Sequence, residues 1–275
     1  MSAKASPTTA LSPLLRLSGV AVQRGRRLIL DGVDWEVQAD QRWLVLGANG
    51  SGKTTLVRVA GLYEHPTRGT VEVLGEALGR TDVRVLRRRI GFASASLAAD
   101  LRPQLSALEV VMTAKFAALE PWWHSYDDAD RARAGACLAQ MGVAALATRS
   151  FGSLSSGEQQ RTLLARTLMT DPGLVLLDEP SARLDLAGRE HLVQALAELA
   201  GAAGSPALVL VTHHVDEIPP GITHVLLLRG GRLQAAGPLR DTLTAEALSE
   251  CFELELTLEH RANGRYSAFA VSRRS

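Results

Sequence analysis

The stretch Trp43-Leu-Val-Leu46, followed by Gly47-Ala-Asn-Gly-Ser-Gly-Lys53-Thr54 and then Thr55-Leu-Val-Arg-Val-Ala60, constrains the fold more than any other part of the 275-residue chain. A short apolar run, a glycine-rich turn and a periodic run stopped by Gly61 read as strand, loop and helix. The loop fits the spacing G-x-x-x-x-G-K-[ST]. Its glycines let successive backbone N–H groups curl inward at the positive end of the following helix. Such a cradle suits phosphate, so Gly47, Asn49, Gly50, Ser51, Gly52, Lys53, Thr54 and Thr55 are candidate nucleotide-binding positions. Lys53 is placed to bridge the β- and γ-phosphates, and the Thr54 hydroxyl to bind Mg²⁺. The only other lysines are Lys4 and Lys115, so a lysine inside this loop stands out from the arginine-dominated remainder.

Three more segments follow along the chain, at 154–161, 174–179 and 207–213. Leu174-Val-Leu-Leu-Asp178-Glu179 is four apolar residues and two carboxylates, a buried strand whose C-terminal end faces the phosphates. Asp178 is the candidate for the Mg²⁺ shell and Glu179 the candidate general base that polarises an attacking water. Upstream, Leu154-Ser-Ser-Gly-Glu-Gln-Gln-Arg161 reads as the start of a helix running to about Met169, capped by Ser155 or Ser156, with N–H groups free to meet an anion. Finally, Ala207–Thr212 is a second buried strand, ending at His213. Each piece alone has an ordinary structural explanation; the four in this order point to nucleotide chemistry.

The remaining pattern frames these motifs. Residues 14–38 hold short alternating runs punctuated by Gly19, Gly25 and Gly32, which predicts an antiparallel sheet. Thr70–Leu74 and Ile90–Ala93 read as further strands. From about Leu97 to Arg166 the pattern is helical, with one amphipathic helix starting at Asp127–Asp128 and presenting Ala132, Cys137, Leu138 and Met141 on its apolar side. A helix over about Leu186–Ala203 separates the two buried strands. Thr223–Ala235 reads as strand, Gly-Gly turn and strand. Leu254–Leu258 and Tyr266–Val271 alternate around Asn263-Gly264, predicting a C-terminal hairpin.

Composition excludes several classes. With 46% hydrophobic and 21% charged residues the chain is an ordinary globular one, and a net charge of +1 gives no reason to expect nucleic acid as a partner. No run of 18 apolar residues spans a membrane, and the opening residues 1–13 lack an apolar core, reading as a flexible tail and not a signal peptide. Cys137 and Cys251 stand alone, without metal-ligand spacing, as reduced thiols.

On these motifs the chain resembles the ATP-binding-cassette (ABC) family, over about residues 14–240. The resemblance implies an α/β fold: a P-loop NTPase (RecA-like) core, an N-terminal antiparallel β subdomain and an inserted helical subdomain over about 97–166. The cassette would occupy 14–250 and a hairpin extension 251–275. It implies an ATPase, with ATP and Mg²⁺ bound, working as a head-to-tail dimer or paired cassette. Lys53, Glu179 and His213 would carry catalysis, His213 as the switch histidine on the γ-phosphate. Leu154–Glu158 stands for the family signature Leu-Ser-Gly-Gly-Gln, so Ser155, Ser156, Gly157 and Glu158 would cover ATP bound by the other subunit. Ser181–Asp185 looks like the D-loop along the dimer seam. His214 reads as a loop neighbour, with a metal-binding His pair as the weaker alternative.

Two family positions are filled differently. Arg24 stands where an aromatic residue usually stacks on adenine, a role a guanidinium plane also fills. Near Ala95 the family places a glutamine that touches Mg²⁺ and couples the site to a membrane partner; here only the Ser94 or Ser96 hydroxyl is offered. That loss, with the Val211–Gly221 segment, is similar to single-cassette ATPases of the molybdate-type or photorepair-like subgroup. The reading is therefore the ATP-binding subunit of an ABC transporter, cytoplasmic or peripheral on the inner membrane face, with a separate transmembrane permease. The alternative is a soluble cassette ATPase coupled to no permease, in repair, translation or regulation. A module that holds ATP without hydrolysing it is disfavoured by Glu179 and His213. Trp122-Trp123-His124-Ser-Tyr126 is open between a docking surface and a small aromatic core.

Overall fold

A computed structural model describes residues 12–271. The expected tail at 1–13 therefore falls, through residue 11, outside the described residues. In chain order the elements are β1 (Leu15–Arg24), β2 (Arg27–Val37), β3 (Arg42–Leu46), α1 (Lys53–Ala60), β4 (Arg68–Val73), β5 (Glu76–Ala77), α2 (Val83–Arg87), β6 (Ile90–Ser94) and α3 (Ala95–Asp100). Then come α4 (Ala107–Met112), α5 (Asp128–Gln140), α6 (Ser156–Thr167), β7 (Leu174–Asp178), α7 (Leu186–Gly201) and β8 (Ala207–Val211). The chain continues with β9 (His224–Arg229), β10 (Arg232–Pro238), α8 (Leu239–Thr242), α9 (Ala245–Phe252), β11 (Leu256–His260) and β12 (Tyr266–Ala270).

The central sheet has the order β10-β9-β3-β8-β7-β6, parallel throughout except for the edge strand β10. Its inner strands are apolar on both faces because both faces are covered. Successive side chains divide between two cores as the pleat requires. Trp43, Val45, Leu174, Leu176, Val209 and Val211 face one side, with α1 and the antiparallel sheet β2-β1-β4-β5. Leu44, Leu46, Val175, Leu177, Leu208 and Leu210 face the other, with helices α4 to α7. The α/β architecture with an antiparallel β subdomain and an inserted helical region is the one expected.

Local differences have simple causes. The buried apolar residues of α5 are Ala134, Cys137 and Leu138, joined by Met141 at its C-cap, and Ala132 is exposed. Five residues separate Ala132 from Cys137, about 140° around the helix, so the two cannot share a face. Asp127 caps this helix: its carboxylate accepts from the Asp130 N–H, and the Asp130 carboxylate accepts from the Asp127 N–H. Both cysteines are free and buried. Trp122 and Trp123 are 59% and 86% exposed, so they do not fill a core. Arg102 stacks 4.2 Å from the centre of the Trp122 ring, while Phe116, His124 and Tyr126 pack on one another beneath.

The C-terminal hairpin β11–β12 is docked, not appended. Tyr266 and Ser267 are buried, and β12 packs against the 3-10 turn Val215–Glu217 that follows β8.

Helix α6 crosses β6 so closely that a Cβ at Gly91 would lie 2.6 Å from the Thr167 carbonyl oxygen and 3.1 Å from Val175 Cγ2. Gly91→Ala must therefore push the helical layer off the sheet. Urea unfolding should show a loss of about 1–3 kcal/mol, against a gain of up to about 1 kcal/mol for Ala at Gly135, a mid-helix position of α5 with nothing within 4 Å.

Candidate functional site

The parallel strands β3, β7 and β8 end at the same edge of the sheet, and their C-terminal extensions form the site. Strand β3 runs into the glycine loop. Gly50 and Gly52 take φ values of +80° and +105°, a left-handed backbone open to glycine and strained for other residues. At Gly47 a Cβ would lie 2.2 Å from the Leu228 carbonyl oxygen. Helix α1 begins at Lys53 with no side-chain cap, which leaves its first N–H groups pointing into the loop. A cavity of about 370 Å³ lies over it, lined by Arg27, Ile29, Asn49, Gly50, Gly52, Lys53, Thr54, Thr55 and Glu179.

Lys53 is buried. Its Nζ donates to the carbonyls of Gly47 (2.8 Å) and Ala48 (3.1 Å) and sits 3.7 Å from Glu179 Oε1. Burial lowers its pKa, and the nearby Glu179 and Asp178 carboxylates oppose that shift. The Ser51 hydroxyl is buried with no hydrogen-bond partner among the described residues.

At the end of β7, the Thr54 hydroxyl donates to Asp178 Oδ1 at 3.2 Å. Burial raises the Asp178 pKa to about 6, against the Thr54 hydrogen bond, which pulls it down; Glu179 adds to the rise and Lys53 opposes it. Glu179 follows at φ +48°, with its N–H donating to the Val211 carbonyl at 3.0 Å. A left-handed glutamate stores about 1–3 kcal/mol of strain, and such strain concentrates where a side chain must point one way. Here that direction puts Glu179 Oε1 3.2 Å from His213 Nδ1. His213 and His214 rings lie 4.0 Å apart, tilted.

The signature segment is elsewhere. Ser155 caps α6, settling the choice with Ser156: its hydroxyl accepts from the Glu158 N–H at 3.4 Å, and the Glu158 carboxylate accepts from the Ser155 N–H at 2.8 Å. The Ser155 N–H, and the Ser155 hydroxyl donating to the same oxygen at 2.9 Å, hold the Glu158 carboxyl below its ordinary pKa. Asp185, in the candidate D-loop, caps α7 by accepting from the Gly188 N–H at 2.7 Å. Gly157 approaches Gly188, a Cβ on either falling within 4 Å of the other's Cα, so the candidate signature and D-loop segments lie side by side. None of Ser155, Ser156, Gly157 or Glu158 lines the cavity over the glycine loop.

Arg24 is not brought into the group. It ends β1 and turns away into a two-pronged ion pair with Glu64 (2.7 and 2.8 Å). The hairpin at Gly25 reverses the chain, and the cavity wall is instead built by Arg27 and Ile29 of β2. Sequence reading missed both, since strand alternation alone does not say which hairpin strand faces the loop. Ser94 accepts from the Leu97 N–H at 3.2 Å, capping α3; the side chains of Ala95 and Ser96 lie outside the described residues.

Comparison with known proteins agrees with this arrangement. Residues 30–182 match the family model described as ABC transporter. The uncharacterized ABC transporter ATP-binding protein YlmA of Bacillus subtilis is 36% identical over 241 residues, covering 87% of this chain and 91% of that protein. The nickel import ATP-binding protein NikO of Rhodobacter capsulatus is 33% identical over 246 residues, covering 86% and 94%. Among solved structures, a dimeric ATP-binding cassette in a post-hydrolysis state with ADP and Pi superposes with a TM-score of 0.70 at 27% identity, covering 82% of this chain and 99% of that one. The chain therefore belongs to the ABC transporter family, as an ATP-binding subunit that hydrolyses ATP.

Proposed function

We propose that two copies of this chain, or this chain and a paired cassette, close head to tail on ATP and drive a separate transmembrane permease. One observation carries the dimer: the cavity over the glycine loop has Lys53, Thr54 and Glu179 in its wall and no signature residue. An ATP placed there meets Ser155–Glu158 only from another subunit. No helix among the described residues is long and apolar enough to cross a membrane, so a transport pathway would come from another chain, which would place this one at the inner face of the membrane. The exposed Trp122 and Trp123 offer the helical region a docking surface of the kind that anchors interfaces. The NikO name suggests import of a metal ion, and the molybdate-type or photorepair-like reading rests only on the missing glutamine near Ala95 and the Val211–Gly221 segment. That missing glutamine is also what favours the second reading, an ATPase coupled to no permease.

Mg²⁺ fits the donor set. The Thr54 hydroxyl and Asp178 carboxylate are hard oxygens, and no group of three His, Cys, Asp or Glu gathers among the described residues. One carboxylate and a hydroxyl beside substrate phosphates is how Mg²⁺ is usually held, in contrast to an all-protein cage. When bound, it supplies positive charge that neutralises the phosphate oxygens. Lys53 gives up its loop carbonyls to reach the phosphates. Glu179 Oε accepts the proton of the attacking water, and His213, hydrogen-bonded to it, fixes the carboxylate's direction.

Glu179→Gln should keep ATP binding, slow turnover by at least about a hundredfold and accumulate ATP-bound dimer; a steady-state phosphate assay with size-exclusion chromatography decides, and wild-type turnover would remove Glu179 as the base.

Asp178 gives a prediction on pH. Its folded pKa is raised, so the metal-free protein binds that proton more tightly than the unfolded chain does. The resulting stability is present at low pH and is lost as pH rises through about 6. At pH 8, Asp178→Asn should therefore stabilise the metal-free protein by on the order of 1–3 kcal/mol while abolishing Mg²⁺-dependent hydrolysis. Thermal unfolding at pH 5 and pH 8 measures the difference, which should shrink at the lower value.

A further inference from the structure

The turn Val215–Glu217, just beyond the two histidines, is held from three sides. Glu217 is buried, and its Oε2 accepts from Thr212 Oγ1 at 2.5 Å and from Ser181 Oγ at 2.6 Å. Thr212 precedes His213, and Ser181 lies two residues beyond Glu179. One carboxylate thus ties the segment bearing the candidate base to the segment bearing the candidate switch histidine. The Thr212 hydroxyl also accepts from the His214 N–H at 3.1 Å, so the bond to Glu217 fixes the backbone on both sides of His213. Arg189 of α7 stands 3.4 Å from Glu217 Oε1 and 3.5 Å from Asp216 Oδ2.

The third side is the C-terminal hairpin. Its turn is tightly bonded: Gly264 N–H donates to Arg261 O at 2.9 Å, Arg261 N–H to Arg265 O at 2.8 Å, and Arg265 N–H to Asn263 Oδ1 at 3.1 Å. This presents Arg265, 17% exposed, with little freedom left. Its Nη1 and Nη2 donate to the two oxygens of Glu190 on α7, at 2.9 and 3.2 Å. Nη2 also donates to the main-chain carbonyl of Asp216, directly before Glu217. Beside this clamp the hairpin and the histidine loop enclose a cavity of about 540 Å³, with His213, His214, Phe252 and Phe269 in its wall. β12 packs on the turn Val215–Glu217 beside this space, and the guanidinium adds the directional hydrogen bonds between the hairpin and the loop.

We propose that the C-terminal hairpin is a positioning element of the hydrolytic site, and that Arg265 is the positioning residue through which it holds His213 against Glu179. A guanidinium meets a carboxylate in two prongs and keeps a donor for the carbonyl; an ammonium cannot do both at once. Arg265 touches no substrate. It acts on turnover through Asp216, Glu217 and Thr212.

This rests on the reading of Glu179 and His213 as base and switch, and the test separates the two. Arg265→Ala, Arg265→Lys, Glu190→Ala and Glu179→Gln are compared for kcat, KM for ATP and unfolding temperature. Arg265→Ala should lower kcat by about ten- to hundredfold, the scale of a misplaced reacting group, with KM unchanged. Arg265→Lys should fall between it and wild type. Glu190→Ala, which frees the hairpin from α7 but leaves the Asp216 carbonyl bonded, should lose much less kcat at a similar fall in unfolding temperature. If Arg265→Ala does not fold, Arg265→Lys against Glu190→Ala makes the same comparison. Unchanged kcat in the arginine variants, or kcat losses equal to that of Glu190→Ala, would overturn the proposal. Wild-type turnover in Glu179→Gln would overturn the assignment of the base instead.

Discussion

The 3.2 Å hydrogen bond between Thr54 and Asp178 exists because two strands that are not neighbours stop at the same level of one sheet. Strand β8 lies between β3 and β7 and pairs in parallel with both. Parallel pairing carries every chain end to the same edge, so the loop after β3, the carboxylates after β7 and the histidine after β8 must converge there. Burial on both faces holds the strands in register, since a slip by one residue would exchange Leu44 and Leu46 with Trp43 and Val45 between two different cores. The convergence of these segments is a consequence of this sheet.

What the sheet assembles is suited to a charged ligand. Lys53 is buried on its own loop carbonyls, Asp178 resists ionisation and Glu179 sits in a left-handed backbone. A nucleotide with its cation would offer Lys53 and Asp178 charged partners, and whatever free energy it gains there stabilises the folded chain.

Legibility in the sequence followed the range of the interaction. The glycine loop, the apolar strands ending in Asp178-Glu179 and Thr212-His213, and the capped start of α6 are local patterns, and the structure has them where the residues predicted them. The hairpin around Asn263-Gly264 was equally plain as a hairpin. Its docking was not: the meeting of Arg265 with Glu190 and the Asp216 carbonyl joins positions 49 to 75 residues apart, which no periodicity records. Arg24 failed for a related reason, since Glu64, 40 residues away, claims its guanidinium. Trp122 and Trp123 carried no period, and only the fold shows them exposed.

The central claim is that each hydrolytic site is completed by two chains, one bringing Lys53 and Glu179, the other Ser155–Glu158. It is tested most directly by mixing Lys53→Ala chains with Gly157→Asp chains, each inactive alone, and measuring ATP hydrolysis. Recovery of activity in the mixture, where one of the two sites keeps an intact loop and an intact signature, is the predicted result. A mixture as inactive as its parts, or a Gly157→Asp chain that hydrolyses ATP unaided, would contradict the account.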